Sequence, residues 1–175
     1  VDAVVRGDEL TLDLVEELER LAPFGLGNPS VTLLAPACEL SELGAVGDGK
    51  HLKLAVTANR VRSGAIAFGQ GGQLDRFRRQ GLYDVAFRLA ANRWNGTVAP
   101  QLVVGRVFET PDGYGPLRAR LAAEWRGGEG AWSPDARTIF GELGLDGQPG
   151  ARRHLLESET FRSLLTEPAD LRQAA

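Results

Sequence analysis

Lys50 and Lys53 are the only lysines in this chain; its other eighteen basic residues are arginines. They sit on Lys50 to Asn59, KHLKLAVTAN, where Leu52, Leu54 and Val56 alternate with His51, Lys53, Ala55 and Thr57. A period of two predicts a strand with one apolar face and one small, cationic face. Lys53 on such a face, with Lys50 at the strand's start, suits a polyanion's phosphates, and an ordinary solvated strand face is the plainer alternative. More cations stand nearby in sequence: Arg60 and Arg62 at the next turn, Arg88 on a later alternating run, and Arg93 beside Trp94. Cations that neutralise phosphates, together with aromatic rings that stack bases, are what single-strand binding requires.

Other chemistries find little support. His51 and His154 are the only histidines, far apart and outside any metal-ligand spacing, so each is read as a satisfied surface or strand histidine. No Ser/His/Asp or Cys/His set stands out. Cys38, being alone, cannot form an internal disulfide and reads as a small core residue. Gly25-x-Gly27 between Pro23 and Pro29 lacks the helix of a dinucleotide fingerprint and the Gly-Lys-Ser/Thr of a P-loop. It is read as a chain reversal with both glycines free to take positive φ.

The net charge of −3 hides a strong asymmetry. Residues 1–49 carry 2 basic and 10 acidic groups, residues 50–107 carry 10 and 2, and residues 108–175 carry 8 and 11. The middle third is therefore a basic island in an acidic chain, and attraction depends on local potential within about 8–10 Å. This pattern argues against coating duplex DNA with the whole surface. No run approaches the ~20 apolar residues of a membrane span, and the acidic N-terminus is unlike a signal peptide, so a cytoplasmic location is expected. Methionine is absent, position 1 included, which reads either as an excised fragment or as removal of an initiator by processing.

The elements that must position these residues follow from periodicity. Leu10, Leu14, Leu18 and Leu21 predict an amphipathic helix capped by Thr11 or Asp8. Val31 to Asp48 reads as a bent or split strand interrupted at Pro36, followed by the Lys50 strand. Val61 to Gly69 pairs back, with Ile66 and Phe68 expected inward and Ala65 and Ala67 outward. Gln70 to Gly81 reads as a short helix with Leu74 and Phe77 inside. Leu82 to Asn92 alternates Tyr83, Val85, Phe87 and Leu89 against Asp84, Ala86, Arg88 and Ala90. Asn95-Gly96 is a hairpin signal, and Gln101 to Val107 is the last strand, with Leu102 and Val104 on one face and Gln101 and Val103 on the other. Phe24 and Phe68 read as core residues before stacking platforms.

Five strands with a short helix between the third and fourth predict an OB-fold, a five-stranded barrel whose second and third strands and adjoining loops bind oligonucleotides. Several ordered motifs then carry a family resemblance over about residues 1–107. They are Leu21-Ala22-Pro23-Phe24-Gly25-Leu26-Gly27-Asn28-Pro29, Lys50-His51-Leu52-Lys53-Leu54, Ile66-Ala67-Phe68-Gly69, Asp84-Val85-Ala86-Phe87, Asn92-Arg93-Trp94-Asn95-Gly96 and Gln101-Leu102. The chain resembles the C-terminal part of RecJ-type single-stranded-DNA-specific exonucleases. The resemblance implies an OB-fold that follows DHH and DHH-associated catalytic domains and feeds single-stranded DNA to their manganese or magnesium site, which releases nucleotides 5′ to 3′. Two departures stand out. Val31 and Leu33 occupy the place of the family's second proline and aromatic, and no Asp-His-His or metal-spaced aspartate cluster occurs. The chain by itself is therefore expected to hold no cofactor and hydrolyse nothing.

The expected architecture is a connecting helix and Pro/Gly turn (1–29), the OB-fold (30–108) and a helical C-terminal extension (109–175). In that extension Thr110 to Pro116 forms a linker, and Leu117 to Trp125, Pro134 to Leu143 and Ala151 to Leu165 form helices. The expected contacts to single-stranded DNA are Lys50, Lys53, Arg60, Arg62, Arg88 and Arg93 on phosphates, a stacked Trp94, and hydrogen bonds from His51 and Gln101. The competing reading is a protein-docking module that holds the DHH catalytic domains or recruits a partner such as a single-strand-binding protein. A complete small enzyme is a third reading, and it lacks a recognisable site.

Overall fold

A strand of 14 residues, Leu33–Val46 (β2), is bent twice, and the bends let it close a barrel. The computed structural model describes residues 1–79, 81–145 and 154–166, and the chain divides into two compact units, Val1–Glu109 and Thr110–Ala175. Leu33, Leu34, Ala35 and Cys38 of β2 pair antiparallel with Tyr83–Trp94 (β5), whereas Glu39 to Val46 pair antiparallel with His51–Ala58 (β3). The register shifts once across Pro36 and Ala37 and again across Glu42 and Leu43, where Ala37 and Glu42 both have φ 52°. Extra residues of this kind bend a strand and increase its twist. Pro36 thus falls in a bulge, where its missing N–H costs no ladder bond.

From β3 the chain reverses into Val61–Ala67 (β4), which pairs parallel with Thr97–Glu109 (β6), and β6 pairs antiparallel with β5. The circuit β2-β3-β4-β6-β5 returns to β2 and forms the OB-fold barrel. A two-residue strand not foreseen from sequence, Ala3–Val4 (β1), lies parallel to β2. Asn59 and Arg60 (φ 49° and 67°) and Asn95 and Gly96 (φ 47° and 77°) form the two shortest hairpin turns, both residues left-handed as a type I′ turn demands.

One core packs the barrel interior with Leu33, Ala35, Cys38, Leu52, Leu54, Val56, Phe77, Tyr83, Val85, Phe87, Leu102 and Val104. The phase of β4 is opposite to the sequence expectation. Ala65 and Ala67 are each 1% exposed, Ile66 is half-buried, and Phe68 is 59% exposed. Register explains this: Leu52 faces Ala67 and Leu54 faces Ala65, so large side chains on β3 meet small ones on β4 inside the barrel. Phe24, the other aromatic expected in the core, is also exposed. Asp84, expected outward, is fully buried, and its Oδ1 accepts the Ala37 N–H at 3.0 Å, which satisfies the backbone of the first bulge. Burial, reinforced by Asp84, pushes the Cys38 thiol up to about 12. This is a core cysteine, with its Sγ 3.3 Å from the Ala35 carbonyl oxygen.

Local segments pack at the strand ends. Thr11 caps Leu12–Glu19 (α1) by accepting the Leu14 N–H at 3.2 Å, and Leu10 and Val15 join the core. A Cβ at Gly7 would stand 2.0 Å from the Ala58 carbonyl oxygen, so only glycine fits where this segment meets β3. The Leu21 to Pro29 loop is a chain reversal, as expected: Gly25 and Asn28 exchange backbone hydrogen bonds of 2.8 and 3.1 Å, and Asn28 Nδ2 donates to the Leu21 and Pro23 carbonyls. Neither Gly25 nor Gly27 has positive φ, because the paired Asn28 shapes the turn. A 3₁₀ turn, Gly71–Gln73, and Leu74–Phe77 (α2) bring Phe77 into the core.

The second unit contains Tyr114–Gly127 (α3), Pro134–Glu142 (α4) and Glu159–Thr166 (α5) among its described residues. Its core joins Tyr114, Leu121, Ala136, Ile139, Phe140, Leu143 and Phe161. The expected linker ends earlier than its prolines and glycines indicate. Tyr114 opens α3 and is buried, and Pro116 is tolerated because it lies in the first turn. The third helix begins at Glu159 rather than in the Ala151 region, of which 151–153 lie outside the described residues. His154 is buried rather than on the surface or a strand. Its Nδ1 accepts the Leu156 N–H at 3.2 Å, and its Nε2 lies 3.1 Å from the Tyr114 hydroxyl. Ser133 caps α4, and the Glu142 carboxylate receives the Ser158 and Thr160 hydroxyls and the Thr160 N–H.

Candidate nucleic-acid interface

The outward face of β3, β4, β6 and β5 can be read row by row from strand register, because paired residues point to the same side. One row runs Gly44, Lys53, Ile66, Val103, Arg88. The next runs Ser41, Ala55, Gly64, Gln101, Ala90. The first has a cation at each side of two half-buried apolar residues, and the second is a floor of small side chains with one amide, Gln101. Neighbouring strands stand about 4.8 Å apart, so Lys53 and Arg88 are roughly 14 Å apart across the sheet. That spacing spans more than one phosphate of an extended strand; in the second row Gly64 is exposed, Gln101 and Ala90 are half-buried, and Ala55 is buried.

A third row places Glu39, Thr57 and Arg62 together. Here the cation is engaged: Arg62 Nε donates to Glu42 Oε1 at 3.0 Å, and its Nη2 donates to Glu42 Oε2. Lys50, Lys53, Arg60, Arg88 and Arg93, by contrast, form no hydrogen bond or ion pair with other described side chains. Their charges face solvent and are available to an anion.

Before the Lys53 row stand His51 and Phe68. Their rings meet edge to face with centroids 5.2 Å apart, and His51 Nδ1 accepts the Gly69 N–H at 3.0 Å. An accepting Nδ1 leaves the neutral ring's proton on Nε2, so His51 offers one donor outward. A Cβ at Gly47 would come within 3.0 Å of this ring, which explains a glycine at that turn. Phe68 is thus an aromatic surface beside Lys53, and its inward assignment by residue type hid it.

The β5–β6 hairpin carries Trp94 at its tip, paired with Thr97 and 72% exposed. Alternation puts Trp94 on the side of Arg88, Ala90 and Asn92, and Arg93 on the side of Leu89 and Ala91. Arg93 and Trp94 therefore diverge. Trp94 also lies three rows from Lys53 along the strands, about 20 Å at ~3.3 Å per residue. The structure gathers Lys53, Gln101 and Arg88, with Lys50 and His51 at one end, and leaves Arg60, Arg93 and Trp94 at the other. Sequence reasoning missed Ile66 and Val103 between Lys53 and Arg88, Gly64 in the neighbouring row, and Glu42 as the partner of Arg62; the alternation of β6 held the only available signal for Val103.

Among the described residues no three His, Cys, Asp or Glu side chains cluster to hold a metal ion. No helix among the described residues is long and apolar enough to cross a membrane.

A family model described as the RecJ OB domain matches residues 1–106. The single-stranded-DNA-specific exonuclease RecJ of Bacillus subtilis (strain 168) is 20% identical over 178 residues, covering 99% of this chain and 20% of that protein. The chain therefore spans about a fifth of the length of this curated relative. The crystal structure of RecJ with Mg2+ from Thermus thermophilus is 23% identical, covers 75% of this chain and 23% of that chain, and superposes with a TM-score of 0.47. The Mn2+ complex from the same organism is 28% identical, covers 65% and 16%, and gives 0.44.

Proposed function

The chain belongs to the RecJ OB domain family, and from that premise we propose that its barrel is the single-stranded-DNA-binding module of a RecJ-like 5′-to-3′ exonuclease of DNA repair and recombination. The strand crosses the outward face of β3, β4, β6 and β5 on its way to metal-dependent catalytic domains outside this chain. Lys50, Lys53 and Arg88 hold phosphates, Arg60 and Arg93 extend the positive surface beyond the turns, and Gln101 and His51 supply hydrogen bonds. Phe68 near Lys53 and Trp94 at the hairpin tip serve as stacking platforms. The observation that carries this reading is the Lys53 to Arg88 row lying beside the Ala55, Gly64, Gln101 and Ala90 floor. Cations without a protein partner among the described residues, beside small side chains on one face, support this reading, because a polyanion can reach them.

Fluorescence anisotropy of a labelled single-stranded oligonucleotide, titrated at two salt concentrations with duplex as competitor, tests the reading. Expected are preference for the single strand, weakening with salt, and a further loss in Lys53→Ala and Arg88→Ala. Equal binding of duplex, or affinity indifferent to both substitutions, would overturn it.

A further inference from the structure

Arg62 stands on the same outward face as Lys53, yet it is already held by a carboxylate. We propose that Glu42 withholds Arg62 from the phosphate path, so that the barrel grips single-stranded nucleic acid with one cation in reserve. This inference rests on the reading of the face given above.

The local backbone is built around this contact. Glu42 belongs to the second bulge of β2, between the pairs Ser41 with Ala55 and Gly44 with Lys53, and has φ 52°. That left-handed conformation suits glycine or asparagine, and glutamate adopts it rarely. From the bulge its carboxylate reaches Arg62 on β4, although β3 lies between the two strands, and both oxygens engage the guanidinium. Fork-to-fork pairing of this kind is directional, and it occupies the Nε and Nη2 donors that would otherwise meet a phosphate. Glu39 lies on the same row as Arg62, so two acids border this end of the face, whereas Lys53 and Arg88 stand on theirs without one.

Both partners are exposed, so the pair is weak and a phosphate can compete for Arg62. The result is a graded restraint on affinity rather than a block. A module that must pass a strand onward benefits, because each additional phosphate contact slows release.

The test is a double-mutant cycle on the whole chain with a labelled oligo-dT at 50 and 200 mM salt, with circular dichroism to confirm folding. Glu42→Gln is expected to tighten binding roughly three- to tenfold at the lower salt and to steepen the log affinity against log salt slope by about 0.7, the increment of one added phosphate contact. Arg62→Ala should remove that gain in the double variant, and should cost several-fold less in the parent than in the Glu42→Gln background. Glu39→Gln removes the same charge without releasing Arg62, and should change affinity less than twofold. Equal tightening by Glu39→Gln and Glu42→Gln, or a gain that survives Arg62→Ala, would overturn the proposal in favour of general charge. If Lys53→Ala weakens binding while Glu42→Gln does nothing, the restraint alone fails; if the parent does not bind or Lys53→Ala is silent, the restraint falls together with the binding face.

Discussion

The polar side chains of the helical core and the cations of one barrel row contrast, although elsewhere on the barrel Arg62 pairs with Glu42 and Arg76 with Glu109. In the helical unit polar groups close on one another: Glu142 takes Ser158 and Thr160, Glu124 Oε2 takes the Ser133 hydroxyl and N–H at 2.7 Å, and Tyr114 meets His154. On the barrel face the cations of the Lys53 and Arg88 row meet no protein partner among the described residues. Polar groups consumed internally stabilise a fold, while groups left to solvent on a flat surface are available to a ligand. The difference fits the proposed division, in which the polar residues of the helices hold the fold and the cations of the barrel row meet a ligand.

Four outcomes would sharpen or break that contrast. Phe161→Ala removes a fully buried ring from the helical core and should cost about 3–5 kcal/mol in a denaturant titration, with little change in oligonucleotide affinity. A parallel loss of affinity in the folded variant would break the division of roles. Phe68→Ala on the barrel should do the reverse, weakening single-strand binding by about 1–3 kcal/mol if one base stacks there, with the melting temperature nearly unchanged. Glu142→Ala strips three hydrogen bonds and should destabilise by about 1–2 kcal/mol. Lys53→Ala is the smallest change, a few-fold in affinity and a salt slope shallower by about 0.7, with stability within about 0.5 kcal/mol of the parent.

The Glu142 contact also has a pH signature. Hydrogen bonds from Ser158, then Thr160, hold this carboxyl below the ordinary glutamate range. A carboxylate whose folded value is depressed contributes stability that is full above the ordinary range and is lost as pH falls through the lowered value. Acid titration followed by tryptophan fluorescence should therefore show the parent losing stability over that window faster than Glu142→Ala does. Identical acid profiles would remove Glu142 from the account.

The barrel was legible because its signals are local. Period-two runs marked five strands, and Asn95-Gly96 marked a turn whose left-handed geometry few other pairs accept. The inward side of β4 was not legible, since Ile66 and Phe68 outrank Ala65 and Ala67 in hydrophobicity, and the choice depends on how much volume Leu52 and Leu54 already fill. The candidate residues were chosen by type, and only part of their arrangement could be read from the sequence. Lys53, Arg88 and Gln101 converge through β4–β6 pairing, a parallel contact between distant segments that no local pattern announces. The engagement of Arg62 depends on a bulge, and the fate of His154 on a tyrosine 40 positions earlier.

The most direct test of the central claim is a 15N-resolved NMR titration of the whole chain with a short oligo-dT. The amides of Lys53, Gly64, Arg88 and Gln101 are expected to shift together with one saturation curve, while those of Ile139 and Phe161 stay in place. Shifts confined to the helical unit, or spread over the barrel without favouring those four residues, would contradict that claim.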